Sequence, residues 1–127
     1  MEKKKILIID DEESFARMVK MNLEEVGGYN VLTESKGARA VSVVRQFMPD
    51  MIFLDIIMPD LSGVDVFAEL KQDPELCRIP VVFLTAIVSD QEVESKRGLI
   101  GGRPFLAKPV TTQKLIECIK LNLRDGS

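Results

Sequence analysis

The sequence contains no histidine and no tryptophan, one tyrosine and two cysteines in 127 residues. The missing histidine excludes Ser/His/Asp and Cys/His nucleophilic sites and histidine-ligated metal centres together. Chemistry carried by this chain therefore runs on carboxylates, Thr, Ser, Lys or a bound hard cation. Cys77 and Cys118 lie far apart without metal-type spacing and read as reduced thiols of a cytosolic protein. No apolar stretch approaches the ~20 residues of a membrane span, and no secretory apolar region follows Met1, so a cytoplasmic location without membrane insertion is expected. Basic runs are also scarce. Beyond Lys3-Lys4-Lys5 there is none, and a net charge of -3 argues against nucleic acid as a direct partner, because the phosphate backbone demands a basic face.

What is present is an ordinary globular balance, 46% hydrophobic and 29% charged, sufficient for residues 1–127 to form one domain with its own core. The chain is organised around Met51-Ile52-Phe53-Leu54-Asp55, an apolar run ending on a carboxylate and bounded by Pro49-Asp50 and Pro59-Asp60. Such a run fits a strand buried on both faces, with Asp55 at its carboxyl end. Lys5 to Ile9 is a similar run, ended by Asp10-Asp11-Glu12-Glu13. Phe15, Met18, Val19, Leu23 and Val26 then recur at helical spacing up to Gly27-Gly28, a helix stop. Tyr29 to Thr33 reads as a strand, and Ser35 as the cap of a helix carrying Ala38, Val41, Val44 and Phe47 and closed by Pro49. Ser62 and Asp65 resemble a capping box for a helix with Val64, Phe67 and Leu70 that ends before Pro74.

Pro80 to Thr85 is a fourth buried strand, and Ser89 with Glu92 has a further capping-box pattern. Residues 90–97 hold Val93 as their one large apolar side chain, so a helix there is weakly anchored. Pro104 to Ala107 forms a fifth strand before Lys108-Pro109, and a last helix from Thr112 to Leu123 carries Leu115, Ile116, Ile119 and Leu123. Five strands alternating with five helices imply an α/β fold: a doubly wound parallel sheet with right-handed crossovers.

In such a sheet the carboxyl ends of the strands share one edge, where open α/β folds place their ligands. Asp10, Asp11, Asp55, Thr85 and Lys108 all fall there. Three carboxylates in one crevice repel one another unless a cation neutralises them, and oxygen-only ligation suits Mg²⁺ with a phosphate completing its shell. An Asp carboxylate is already ionised at pH 7 and can accept a phosphoryl group as an acyl phosphate, with Lys108 facing one phosphate oxygen and Thr85 donating to another.

At these residues the chain resembles the receiver domain of two-component response regulators, over nearly its whole length. The resemblance rests on Ile-Ile-Asp10-Asp11-Glu12, Leu54-Asp55-Ile-Ile-Met-Pro59 with Gly63 following, Leu84-Thr85-Ala86, and Phe105-Leu-Ala-Lys108-Pro109. It implies a flavodoxin-like fold with strand order 2-1-3-4-5. It also implies that Asp55 is the phosphoacceptor, that Asp11 and Asp55 bind Mg²⁺ or Mn²⁺ directly with Asp10 helping through water, and that the Ile57 backbone carbonyl is a further ligand. Thr85 and Lys108 would contact the phosphoryl group, Lys108-Pro109 would be cis, and Phe105 would change rotamer on activation. The implied partners are a histidine kinase or histidine phosphotransfer protein as donor and a downstream effector or output domain. The surface they read would be formed by the fourth helix, the fifth strand and the fifth helix.

Departures from the family pattern carry expectations of their own. Gly101-Gly102-Arg103-Pro104 predicts an unusual entry and edge pairing for the fifth strand, and Phe105 lacks the hydroxyl that many members have. Ile57 and Ile87 are apolar where polar groups help water attack the acyl phosphate, which predicts slow self-dephosphorylation. An aspartate-nucleophile phosphatase would need an acid where Ile57 stands, and a nucleotide-binding module would need an anion loop where Asp10 to Glu13 repel phosphate. The remaining alternative is a pseudo-receiver that binds partners without being phosphorylated.

Overall fold

Apolar runs of about five residues bounded by Pro, Asp or Gly favour strands, because an element that short can be buried on both faces. In the computed structural model, which describes residues 3–86, 99–100 and 103–123, the strands are β1 (Lys5–Ile9), β2 (Asn30–Glu34), β3 (Met51–Asp55), β4 (Val81–Thr85), the two-residue β5 (Leu99–Ile100) and β6 (Arg103–Ala107). The described helices are α1 (Glu13–Gly27), α2 (Gly37–Phe47), α3 (Gly63–Gln72) and α4 (Thr112–Leu123). The sheet order is β2-β1-β3-β4-β6-β5. Its first five members run parallel, giving the expected 2-1-3-4-5 arrangement with β6 as fifth parallel strand. The expected departure at its entry takes the form of an added edge strand: β5 pairs antiparallel, Leu99 opposite Pro104 and Ile100 opposite Arg103. The helix expected over residues 90–97, with its Ser89/Glu92 capping box, lies outside the described residues.

Strand alternation divides the core in two. Leu7, Ile9, Ile52, Leu54, Val81, Phe83 and Phe105 face α2 and α3, whereas Ile6, Ile8, Met51, Phe53, Val82 and Leu84 face α1 and α4. β3 and β4 are buried along their whole lengths, so the carboxyl end of β3 is fixed from both sides. No described helix is long and apolar enough to cross a membrane.

The helices correct several expectations. α1 buries Ala16, Val19 and Leu23, and Met18 and Val26 are exposed, because a single stripe meets the sheet and apolar residues a third of a turn away do not reach it. α2 buries Ala40, Val43 and Val44 where Ala38 was expected, and α3 buries Val66 in place of the half-exposed Val64. Ser35 does not cap α2. Lys36 is the N-cap residue without a side-chain bond, and the free N–H groups of Gly37 and Ala38 donate instead to Asp60, at 3.2 and 2.9 Å. Ser62 does cap α3, its hydroxyl accepting from Val64 N at 3.1 Å. Gly28 closes α1 at φ 69°, its N–H donating to Glu24 O, the left-handed turn that glycine adopts without a steric penalty.

The free edge of β2 is partly covered by α1. Lys20 Nζ donates to Val31 O at 2.8 Å, and Val31 N donates to Glu24 Oε2 at 3.4 Å. An i,i+4 pair thus occupies backbone groups that would otherwise template another strand.

Candidate functional site

β1 ends one residue before Asp10, β3 ends on Asp55, β4 ends on Thr85, and Lys108 follows β6. The parallel registers put these ends side by side: Ile9 opposite Leu54, Asp55 opposite Leu84, and Thr85 opposite Ala107. Lys108 is tied to β4 by its backbone, its N–H donating to Thr85 O at 2.8 Å, and the Lys108-Pro109 bond is cis. The structure therefore brings Asp10, Asp11, Asp55, Thr85 and Lys108 to one edge. Asp10, Asp55 and Thr85 are buried.

The lysine ammonium lies 2.8 Å from Asp10 Oδ2, 2.8 Å from Glu12 Oε1 and 3.7 Å from Asp55 Oδ2. The Phe15 ring lies 4.7 Å from it, within cation–π range. Burial tends to lower the Lys108 pKa, but the Asp10 and Glu12 carboxylates and the Asp55 charge outweigh this and raise it. Asp55 shows the opposite consequence of crowding. Its burial, the Asp10 charge and a hydrogen bond shared with Asp11 push its carboxyl from 3.8 up to about 7, against the pull of Lys108 and of the Ile57 N–H. That N–H donates to Asp55 Oδ1 at 3.3 Å.

The loop after β3 is held at three points. Asp60 caps α2, and the Ala38 hydrogen bond foremost lowers its pKa. Gly63 N donates to Ile56 O at 2.8 Å. The hydrogen of Gly63 that a Cβ would replace points at the Asp55 backbone carbonyl and Ile56 Cα, leaving no space for a side chain. Phe105 is buried in the α2/α3 half of the core, while the Ile57 side chain is exposed beside the acids. Ile87 lies outside the described residues. Sequence reasoning missed the roles of Glu12, Phe15 and Asp60. Glu12 adjoins the acid pair and was visible as part of that run, whereas the positions of Phe15 and Asp60 depend on tertiary packing.

Asp10, Asp11 and Asp55 each offer a carboxylate oxygen within 4.8 Å of the others. Asp10 Oδ2 is buried and, although close to Lys108 Nζ, makes no hydrogen bond. Hard oxygen donors with an unsatisfied buried lone pair fit a cation of the Mg²⁺ or Mn²⁺ kind and are unsuited to softer metals. A cleft of about 590 Å³ lined by Lys3, Lys5, Glu24, Tyr29 and Asn30 lies at the amino ends of β1 and β2, away from these acids. Asp10 itself lines a second cleft, of about 370 Å³, with Glu13, Arg17, Lys20 and Glu34.

The sequence and the fold both have counterparts among known proteins. Residues 6–120 match the response regulator receiver domain profile. The chain is 36% identical over 122 residues to the alkaline phosphatase synthesis transcriptional regulatory protein PhoP of Bacillus subtilis, covering 95% of this chain and 49% of that protein. It therefore spans about half the length of that relative. It is 33% identical to the polar-differentiation response regulator DivK of Brucella anthropi, covering 97% of this chain and 98% of DivK. Among solved structures, the signal receiver domain of a signal transduction histidine kinase from Syntrophus aciditrophicus superposes with a TM-score of 0.80 at 32% identity, covering 96% of this chain and 91% of that one. With a family match over residues 6–120 and relatives at 36% and 33% identity, the chain belongs to the receiver domain family of two-component response regulators.

Proposed function

We propose that residues 1–127 work as one phosphoacceptor switch and that Asp55 takes the phosphoryl group. The observation that carries this reading is the meeting of Asp10, Asp11 and Asp55 with Lys108 at the carboxyl edge of the sheet. These 127 residues contain no histidine, so the phosphoryl group comes from a phosphohistidine outside them, on a histidine kinase or histidine phosphotransfer protein. An Asp55 carboxylate oxygen attacks phosphorus, the new O–P bond forms as the N–P bond of phosphohistidine breaks, and the departing electron pair returns to an imidazole that takes a proton from solvent. Lys108 faces one phosphoryl oxygen and Thr85 donates to another. Asp11, Asp55 and the Ile57 carbonyl would hold Mg²⁺ or Mn²⁺, with Asp10 assisting through water. Such an ion, when bound, neutralises charge on the transferred group.

Small phosphodonors serve the same nucleophile, so self-phosphorylation and a slow self-dephosphorylation belong to this reading. Phosphorylation favours a minor conformation in which Thr85 and the buried Phe105 reposition, altering the surface of residues 90–97, β6 and α4 for an effector or output domain. The acidic chain itself does not contact nucleic acid, and it acts in the cytoplasm. The test is NMR-detected binding of beryllofluoride with and without Mg²⁺. Mg²⁺-dependent shifts at the ends of β3, β4 and β6, absent in Asp55→Asn, support the reading. A folded wild-type protein with no shifts contradicts it.

A further inference from the structure

Lys108 Nζ has three protons to donate, and its neighbours are unequal. Glu12 Oε1 and Asp10 Oδ2 both lie 2.8 Å away, while Asp55 Oδ2, at 3.7 Å, is beyond hydrogen-bond distance. Of the two close contacts, the bond to Glu12 is the aligned hydrogen bond. The lysine side chain is 8% exposed and that of Glu12 59%. A phosphoryl group on Asp55 draws the ammonium towards that residue and stretches its contacts to Asp10 and Glu12. Asp10 is fully buried and has no route to water, so its contact with the lysine is the costlier of the two to lose. Glu12 can return to water at the small cost of an exposed ion pair.

We propose that Glu12 is a positioning residue that tethers Lys108 away from Asp55 in the unphosphorylated protein, so that breaking the Glu12–Lys108 bond contributes to the barrier for phosphorylation. The inference rests on the phosphoacceptor reading above. The tether is itself fastened to the site, because the Glu12 backbone N–H donates to Asp10 Oδ1 at 2.9 Å. A side-chain substitution at Glu12 leaves that backbone bond in place. Glu13, next along the chain and also exposed, makes no contact with Lys108 among the described interactions and controls for the loss of one negative charge.

The experiment follows phosphorylated protein by intact mass against time, with acetyl phosphate and saturating Mg²⁺, for wild type, Glu12→Gln, Glu12→Asp and Glu13→Gln. Glu12→Gln is expected to phosphorylate about three-fold faster, the scale of one exposed ion pair, and with a weaker salt dependence than wild type. Glu12→Asp, which keeps the charge on a shorter arm, falls between, and Glu13→Gln stays within about 1.5-fold of wild type. A rate for Glu12→Gln equal to or below wild type, or an equal acceleration by Glu13→Gln, overturns the tether and leaves the phosphoacceptor reading intact. Absence of an adduct on the folded wild type overturns both.

Discussion

Replacing Asp55 with Asn should stabilise the protein at neutral and alkaline pH. Asp55 is 5% exposed, and burial with the neighbouring acids moves its carboxyl from 3.8 to about 7. Between those values the folded chain holds a proton that the unfolded chain has lost, so stability falls as pH rises from about 4 to about 7, by ~1.4 kcal/mol for each pH unit crossed. The full difference is therefore about 4 kcal/mol, and an effective dielectric above that of a dry interior should reduce it to about 2 kcal/mol. The amide keeps the shape and removes the charge. For a chain of this length ~1 kcal/mol corresponds to about 4 °C in Tm, so Asp55→Asn should melt about 8 °C above wild type at pH 8 in a chelating buffer. The gain should vanish below pH 4, where both forms are neutral. Thermal melts at pH 4, 6 and 8 test this, and an equal gain at pH 4 and pH 8, or none at pH 8, would refute the argument that burial and the neighbouring acids disfavour the Asp55 carboxylate.

Gly63→Ala forces a methyl group against the Asp55 carbonyl and should cost about 1–3 kcal/mol in thermal or urea unfolding. Displacement of the nucleophile should also slow phosphorylation by acetyl phosphate by about ten-fold or more, and a wild-type rate would show that the loop relaxes without moving Asp55. Ile57 presents an apolar side chain beside the acids, so the acyl phosphate should persist for minutes or longer. Ile57→Asn, by orienting a water, should shorten its life about ten-fold, while a wild-type half-life of seconds would contradict the assignment. Glu24→Ala removes the acceptor that faces Val31 N and should speed hydrogen exchange of that amide about five-fold; unchanged protection would show that the edge of β2 does not depend on α1.

The sheet was legible because its strands are short apolar runs with firm boundaries, and Lys5–Ile9 matches the structure residue for residue. The acids were legible because strand ends in a parallel sheet share an edge whatever the strand order. Helix faces were less so. Met18, Val26 and Val64 fit a helical period yet lie at the surface, since periodicity marks candidate apolar positions without saying which stripe meets the sheet. The cap of α2 was misassigned to Ser35 because its true acceptor, Asp60, is 22 and 23 residues away from the amides it binds, and a contact made by folding leaves no local pattern. The Glu12 tether on Lys108 joins residues 96 positions apart and was invisible for the same reason. β5 was anticipated only as an irregularity before Pro104, because a two-residue strand has no period to read.

The most direct test of the central claim is intact mass after incubation with acetyl phosphate, with and without Mg²⁺, on wild type and Asp55→Asn. The expected result is a single phosphoryl adduct on wild type that requires Mg²⁺ and is absent from Asp55→Asn. A folded wild-type protein that takes no adduct, or an adduct that persists in Asp55→Asn, would contradict the assignment of Asp55 as the phosphoacceptor.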